Sequence, residues 1–295
     1  LASSFLKFAL IALVVGVIGS IGFVLWISRD LPTPGKLANS DMQNSTKILD
    51  RNGEVLYSIF KDYNRIYVQL DDIPKNLRNA TIATEDKDFY ENKGFSVWAY
   101  FRVAKDALIH QRVTGGSTIT QQLVKNALLT SERKLTRKMK ELILAVQVDK
   151  RYSKDEVLEM YLNNVPFGGT AVGVEAAANL YFDKPAKELN LAQSAFLAGL
   201  PQSPSYYSPF SGNGKAYEDR TAQVLKRMRE DGYITKKQEE AALKEVKKFK
   251  FSAQDTTLKA PHFVMHVRKR LADQFGEGAI ENGNLIVTTT LDYKI

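Results

Sequence analysis

Two short polar stretches of the chain carry side chains that could perform acid–base chemistry on a sugar or a phosphate ester. The first is Ala-Thr-Glu-Asp-Lys-Asp-Phe at 83–89, in which Glu85 and Asp86 are adjacent. On a helix, adjacent side chains point about 100° apart, so one acid would be a candidate base and the other its supporter. The alternative is a solvated acid pair at a helix start, stabilised by the helix dipole. Taken alone, the pair fits this alternative better, because functional carboxylates are a minority.

The second stretch is Gly-Gly-Ser-Thr-Ile-Thr-Gln-Gln-Leu-Val-Lys-Asn at 115–126. Its two glycines give a flexible approach, and Ser117 is placed to cap a helix. On that helix Gln121, Gln122 and Lys125 would share one face at spacings of three and four residues. Two amides and an ammonium suit a polar, anionic ligand, and an ordinary exposed face is the alternative.

The run that follows is basic and contains one acid. Its members are Arg133, Arg137, Lys138, Lys140 and Glu141. Cations of this kind are needed wherever a diphosphate is held and its departure stabilised. Arg137 and Glu141 can also simply pair at i, i+4, which contributes at most about 0.5 kcal/mol with arginine first.

Two later segments place polar tips on apolar bodies. They are Tyr161-Leu-Asn163 and the stretch 178–184, which includes Tyr181 and Lys184. Core aromatics with one satisfied hydrogen bond explain these segments at least as well as a binding role. Farther along, His262 and His266 have no adjacent acid or third ligand, so they do not predict a metal site.

The composition and one apolar run indicate a globular protein attached to a membrane. The chain has 295 residues, of which 44% are hydrophobic and 25% charged, which excludes a fibrous or fully embedded protein. Phe8 to Ile27 holds twenty residues without a charge, enough at about 1.5 Å per residue to cross a hydrocarbon core of roughly 30 Å. We expect a transmembrane helix there, whose orientation the flanking charges leave open. The net charge of +8 predicts anionic lipids or phosphates as partners, and no nucleic-acid motif is visible.

Turn signals place a linker and a small sheet after this span. Residues 28–45 are rich in proline, glycine and polar side chains, which is typical of a linker. The Arg-Asn-Gly turn at 51–53 predicts a hairpin between the runs 46–50 and 54–60. The β-branched run 284–292 could add a strand to that hairpin.

The remainder of the chain, from about 74 to 249, has a helical pattern. Ser153 followed by Glu156 predicts a capping box, and Asn190 predicts another helix start. The segment 95–112 mixes aromatic and basic residues, which fits either a membrane-surface face or an amphipathic core helix. The highly charged segment 215–250 is interpreted as a solvated outer face.

The order of these motifs resembles the peptidoglycan glycosyltransferase domain of class A penicillin-binding proteins, a lysozyme-like helical fold that polymerises lipid II. Five motifs in this order over roughly residues 70–250 make a chance agreement negligible. The run 287–292 looks like the junction to the transpeptidase domain of bifunctional members, before which this chain would end. The matching motifs are Glu85-Asp86-x-x-Phe89, Gly116-Ser-Thr-Ile-Thr-Gln-Gln122, Arg137-Lys138-x-x-Glu141, Tyr161-Leu-Asn163 and Ala178-x-x-Tyr181-Phe182-x-Lys184.

This resemblance implies a mainly α architecture: a lysozyme-like glycosyltransferase domain with an N-terminal transmembrane helix and a small β linker sheet. The implied domains are an anchor at 1–30, a linker with hairpin at 31–72, the glycosyltransferase domain at 73–250 and a C-terminal linker at 251–295. It also implies a single-pass protein of the bacterial cytoplasmic membrane with an extracytoplasmic catalytic domain. Lipid II, the growing glycan strand and cell-wall synthesis proteins would be its partners.

The resemblance further implies a role for each matching position. Glu85 would be the general base that deprotonates the acceptor sugar's 4-hydroxyl as this oxygen attacks the anomeric carbon of the growing chain, and undecaprenyl diphosphate would leave with inversion. Glu141 would be the second acid, supporting the diphosphate site or a divalent cation, Mg²⁺ or Mn²⁺. Lys125 and Arg133 would hold the diphosphate, and the segment 95–130 would form a membrane-facing jaw. The other residues expected to bind substrate are Asp86, Phe89, Gly116, Ser117, Thr118, Gln121, Gln122, Asn126, Arg137, Lys138, Tyr161, Asn163, Tyr181 and Lys184.

One position departs from the family pattern, and two other functions are open. The family usually has a histidine three residues after Phe89, where this chain has Asn92, which can hydrogen-bond but not titrate. A lytic transglycosylase or hydrolase would need an acid of raised pKa in its cleft and no cationic diphosphate site. The group Lys125, Arg133, Lys138 and Lys140 counts against it. A non-catalytic membrane anchor that binds glycan or divisome partners is the third reading.

Overall fold

Most of the described backbone is helical, with short strands near both ends of the chain and in its middle. The computed structural model describes residues 22, 26, 28–29, 31–37, 46–59, 64–96, 116–129, 135–210, 215–251, 259–276, 280 and 285–294. The helices of these ranges are α1 (Lys75–Glu85), α2 (Ile119–Ala127), α3 (Leu135–Arg151), α4 (Lys154–Asn164), α5 (Val174–Phe182), α6 (Leu191–Gly199), α7 (Pro204–Tyr207), α8 (Ala216–Glu230), α9 (Lys236–Val246) and α10 (Pro261–Phe275). The strands are β1 (Thr46–Leu49), β2 (Val55–Ile59), β3 (Asn64–Arg65), β4 (Pro166–Gly168), β5 (Ala171–Val172) and β6 (Ile286–Thr288). The predicted mainly α architecture with a small sheet is confirmed, while a lysozyme-like arrangement stays a prediction.

The first sheet joins the two ends of the described chain. β1 pairs antiparallel with β2 across the predicted turn and parallel with β6, so that Lys47 faces both Ser58 and Ile286. The added strand is therefore confirmed. α10 covers this sheet with Val264, which is buried in a small core with Ile48. A second sheet, in the order β3-β5-β4, lies beside α5.

The helical body is formed by two groups of helices around one apolar core. In one group α1, α6 and α8 pack against each other, and α9 packs on α6 and α8. In the other group α2 packs against α3 and α4. The largest buried side chains of the core are aromatic, namely Tyr161, Tyr181, Phe89, Phe167 and Phe196. Burial of such rings is the main source of stability in a body of this kind.

Capping boxes set the start of the helices that matter for the site. The predicted boxes at Ser153 and Asn190 begin α4 and α6. In α2, however, the cap is Thr118 and not Ser117, because Gln121 lies three residues after Thr118 and closes a reciprocal box with it. The expected cap at Ser117 is thus wrong by one residue.

One close approach fixes the loop that follows α1. Gly94 has a φ of +81°, and a Cβ there would lie 2.5 Å from the carbonyl oxygen of Ala145 in α3. Only glycine fits both the backbone angle and the space. The carbonyl of Gly94 in turn accepts a hydrogen bond of 2.7 Å from Thr118 Oγ1, so this loop is tied to the start of α2.

The predicted membrane span Phe8 to Ile27 lies outside the described residues except for Gly22 and Trp26. Among the helices that the structure describes, none combines the length and apolar character that crossing a membrane requires. The segment 97–115, which includes most of the predicted jaw, also lies outside the described residues.

Candidate active site

Glu85 is the last residue of α1, and its carboxylate is held from one side by α2. Gln122 Nε2 donates a hydrogen bond of 2.7 Å to Glu85 Oε2, and Tyr161 donates one of 3.2 Å to Gln122 Oε1. The Glu85 side chain is 10% exposed, so the carboxylate lies at the edge of the core and not in bulk water. Burial raises the pKa of Tyr161 well above its usual value, and the negative charge of Glu85 adds to this rise. Tyr161 is therefore a neutral hydrogen-bond donor.

The position of Glu85 corrects one expectation. The acid pair lies at the end of a helix and not at its start. Because the C-terminal end of a helix carries a partial negative charge, this place disfavours a carboxylate. Two arginines of α8 compensate: Arg220 Nη2 is 3.8 Å from Glu85 Oε1, and Arg227 Nη1 donates a bond of 2.6 Å to the Thr84 carbonyl.

Asp86 is held by hydrogen bonds from two segments, and its role as supporter of a base stays a prediction. Its carboxylate accepts hydrogen bonds from the backbone N–H of Ile119 at 3.1 Å and from Asn92 Nδ2 at 2.9 and 3.0 Å. Burial raises the pKa of Asp86, and these hydrogen bonds partly oppose the rise. Ile119 is the first residue of α2, so Asp86 ties the end of α1 to the start of α2 and thereby places Gln122 beside Glu85.

Asn92 is itself held by a charged pair from the neighbouring helices. Lys154 Nζ bonds the Asn92 carbonyl at 2.6 Å and its side-chain oxygen at 3.2 Å. The same ammonium is 2.5 Å from Asp149 and lies 5.0 Å from the ring centroid of Phe89. Asn92 thus acts as a structural link, in keeping with a side chain that does not titrate.

A second cluster of charges lies just before the start of α2. Lys138 Nζ donates to Ser117 Oγ at 2.9 Å and also forms an ion pair with Glu141 Oε1. Arg137 Nη1 is 3.7 Å from Glu141 Oε2, which confirms the predicted i, i+4 pair. The Glu141 side chain is 2% exposed, whereas 39% of the Lys138 side chain reaches solvent. The cluster therefore presents a cation above a buried acid.

The structure does not bring together the whole polar face expected for α2. Gln121 is fully buried, because its amide oxygen turns back to accept the Thr118 N–H at 3.0 Å. Gln122 points to Glu85, and Lys125 and Asn126 are exposed near the helix end. Gly116 and Ser117 are partly exposed at its start. The interpretation of Gln121 and Lys125 as one ligand face is therefore wrong.

Other predicted binding residues are occupied within the fold. Phe89 is completely buried, and Tyr181 is buried with its hydroxyl donating to the Phe167 carbonyl at 2.9 Å. Asn163 is buried and bonds both backbone groups of Val68, at 2.9 and 3.0 Å. Lys184 bonds the Glu188 carbonyl at 2.8 Å. The placement of Tyr161, Tyr181 and Asn163 therefore fits the alternative of buried core residues with satisfied hydrogen bonds. Arg133 lies outside the described residues.

Glu141 was expected to support either the diphosphate site or a divalent cation. In the described part of the chain, no group of three His, Cys, Asp or Glu side chains is placed to hold a metal ion. Both Glu141 oxygens face cations of the protein, Lys138 and Arg137. The described donor set therefore does not fit a metal, and a cation requirement stays a prediction.

Arg220, which faces Glu85, was missed by the sequence analysis. The charged segment 215–250 was interpreted as a solvated face, yet Arg220 is 4% exposed. A signal was present: Arg220 precedes Val224 and Met228 at spacings of four, and both are fully buried. An arginine in that stripe is placed to point inward.

Known proteins similar to this chain were found by sequence and by structure. A sequence profile of the family described as Transglycosylase matches residues 52–229. Penicillin-binding protein 1A of Vibrio cholerae is 36% identical over 291 residues, which are 98% of this chain and 35% of that protein. The protein of the same name from Aquifex aeolicus is 39% identical over 285 residues, 93% of this chain and 37% of the relative. Penicillin-binding protein 1A of Escherichia coli K12 is 37% identical over 286 residues, which are 97% of this chain and 33% of that protein.

The chain spans about a third of the length of these relatives. Among solved structures, penicillin-binding protein 1A from Haemophilus influenzae, determined at 2.6 Å resolution, shares 26% identity with a TM-score of 0.48. The alignment covers 85% of this chain and 28% of that one.

Proposed function

The chain belongs to the transglycosylase family, and we propose that it is a peptidoglycan glycosyltransferase that polymerises lipid II into β-1,4-linked glycan strands. Glu85 is the general base. It takes the proton of the acceptor sugar's 4-hydroxyl as that oxygen forms a bond to the anomeric carbon of the donor. The bond from this carbon to the diphosphate breaks, and undecaprenyl diphosphate leaves with the electron pair from the opposite face. The configuration is therefore inverted.

The observation that carries the proposal is the environment of Glu85. A general base must be fixed in place and remain charged near neutral pH. Gln122 Nε2 donates to Oε2 at 2.7 Å, and Arg220 faces Oε1 at 3.8 Å. Oε1 is buried against Arg220. We therefore assign proton transfer to Oε2, the oxygen that Gln122 orients.

The cluster around Lys138 supplies the leaving-group end of the reaction. Ser117 lies two residues before α2, and Gln122 is the fourth residue of that helix. Lys138 contacts the first, and the base contacts the second. A donor diphosphate near Lys138 would thus leave its anomeric carbon within reach of an acceptor at Glu85. Lys125, exposed on the same helix, adds a second cation for the departing oxygens.

Membrane attachment through Phe8 to Ile27 belongs to the same proposal, since the lipid tail of the donor has to stay in a bilayer during transfer. The catalytic domain would then lie on the extracytoplasmic side, where glycan strands and other cell-wall synthesis proteins are found.

The test is polymerisation of lipid II by the purified chain in detergent, with MgCl₂ and, in a parallel tube, with EDTA. We expect a ladder of glycan polymer on a gel. The EDTA tube decides whether a divalent cation is needed. Absence of polymer under conditions in which a penicillin-binding protein 1A relative is active would overturn the proposal. Release of soluble fragments from purified cell wall would instead identify a lytic enzyme.

A further inference from the structure

Arg220 is a buried cation whose guanidinium is held on three sides. Its Nε donates a hydrogen bond of 3.0 Å to the carbonyl of Gly199, the last residue of α6. The guanidinium carbon lies 5.5 Å from the ring centroid of Tyr207. The remaining nitrogen, Nη2, points to Glu85 Oε1 at 3.8 Å. An arginine anchored by a carbonyl and a ring has little freedom, so it presents a charge at a defined place.

The Glu85 carboxylate needs such a charge. It ends α1, where the helix dipole opposes a negative group. Its Oε1 is buried, and no described residue donates a hydrogen bond to it. A buried carboxylate oxygen without compensation would favour rotation towards water. That change would misplace the base.

The groups that face this carboxylate come from the neighbouring helices. α8 contributes Arg220 and, farther out, Arg227 on the Thr84 carbonyl. Tyr161 of α4 is linked to the carboxylate through Gln122. Burial raises the pKa of Tyr161, so this phenol is neutral and adds no negative charge beside Glu85. The sequence of α6 contains no charged residue. Arg220 is therefore the nearest cation among the residues described.

We propose that Arg220 is a positioning residue for the general base. Its charge fixes Oε1 against α8, so that Oε2, oriented by Gln122, is left to accept the proton of the acceptor hydroxyl. This proposal rests on the function proposed above, because it assigns Arg220 a role through Glu85 and not in contact with substrate.

The first test is a pair of substitutions at Arg220, measured by the kcat and KM of lipid II polymerisation. Arg220→Gln should lower kcat about 100-fold with little change in KM, a loss typical of a misplaced catalytic group. Arg220→Lys keeps the charge, so it should recover part of the lost turnover. Its kcat should be intermediate, because an ammonium cannot bond Gly199 and face Glu85 in the same geometry.

A second variant moves Arg220 without removing it. Gly199 has an ordinary φ of −78°, so its backbone accepts alanine. A Cβ there would lie 3.0 Å from Arg220 Cγ, which forces the arginine stem to shift. Gly199→Ala should lower kcat about 3- to 10-fold while the thermal unfolding midpoint changes little. This variant keeps the proposal testable if Arg220→Gln does not fold.

The matched control is Lys226→Gln, which removes one positive charge from the same helix at a side chain that is 62% exposed. Polymerisation by the parent and by this control establishes the proposed function. If neither protein polymerises lipid II, that result contradicts the proposed function and not the role of Arg220. Active parent and control with a parental kcat in Arg220→Gln would overturn the positioning role. An equal loss in Arg220→Lys and Arg220→Gln would also overturn it, as would a loss that lies in KM and not in kcat, because neither pattern is that of a residue that orients the base.

Discussion

Replacing Gln122 with methionine removes the hydrogen bond on the oxygen of Glu85 that we assign to proton transfer. Methionine has nearly the length of glutamine, so the packing of α2 against α4 should survive. The lost bond spans 2.7 Å and ends on an ionised group, for which typical contributions are about 1.5–3 kcal/mol. Glu85 is 10% exposed, so water replaces this bond poorly. If the whole contribution is realised in the transition state, kcat should fall about 10- to 150-fold.

The companion variant is Tyr161→Phe, which leaves the bond between Gln122 and Glu85 in place. It removes a neutral hydrogen bond of 3.2 Å one step farther from the base, and kcat should fall at most about 10-fold. The assay is the initial rate of lipid II polymerisation, with thermal unfolding of each variant as a check on folding. A kcat for Gln122→Met within twofold of the parent would refute the assignment of Gln122 as the group that orients the base. A larger loss for Tyr161→Phe than for Gln122→Met would refute it as well.

Two further predictions concern stability. Lys138→Met leaves the buried Glu141 facing Arg137 at 3.7 Å, so the free energy of unfolding in urea should fall by about 1–3 kcal/mol. Adding Glu141→Gln to this variant should restore most of the lost stability, because it removes the buried charge. A double variant less stable than Lys138→Met would contradict this prediction. Burial raises the pKa of Tyr181 above its unfolded value near 10, although a hydrogen bond with Ser208 partly opposes the rise. The native state therefore retains this proton more tightly, and the stability linked to it is present below about pH 10 and lost as the pH rises through the folded pKa. Urea unfolding at pH 8, 10 and 11 should show a shallower alkaline loss for Tyr181→Phe, and an unchanged slope would argue against this linkage.

Local signals in the sequence predicted much of the fold. The turn at 51–53 produced the hairpin, and the boxes at Ser153 and Asn190 began their helices as expected. These features succeed because each depends on a few neighbouring residues. The addition of a strand from the run 284–292 to the hairpin was also predicted, although the segments are far apart in sequence, but its pairing with β1 was not.

The candidate site was predicted in residue type but not in arrangement. Gln121 and Gln122 are both glutamines, yet Gln121 closes a capping box and Gln122 donates a hydrogen bond to Glu85. The spacing of Thr118 and Gln121 is a local capping signature that could have separated them. The end of α1 at Glu85 could not be read locally, because Asp86 leaves the helix to cap a segment 33 residues later.

The burial of Arg220 was missed for a different physical reason. A charged run is usually solvated, and only the apolar stripe that contains Arg220 indicates otherwise. Glu85, the partner that makes the burial of Arg220 possible, is far away in the chain. Such a pair can be recognised only once α8 is packed against α1.

The most direct test of the central claim is the turnover of Glu85→Gln on lipid II. The amide has the size of the carboxylate and can still accept the bond from Gln122, but it cannot take a proton. We expect no polymer above background, a loss of about 100-fold or more in kcat, with donor binding within a few-fold of the parent. Polymerisation at a near-normal rate by this variant would contradict the assignment of Glu85 as the general base.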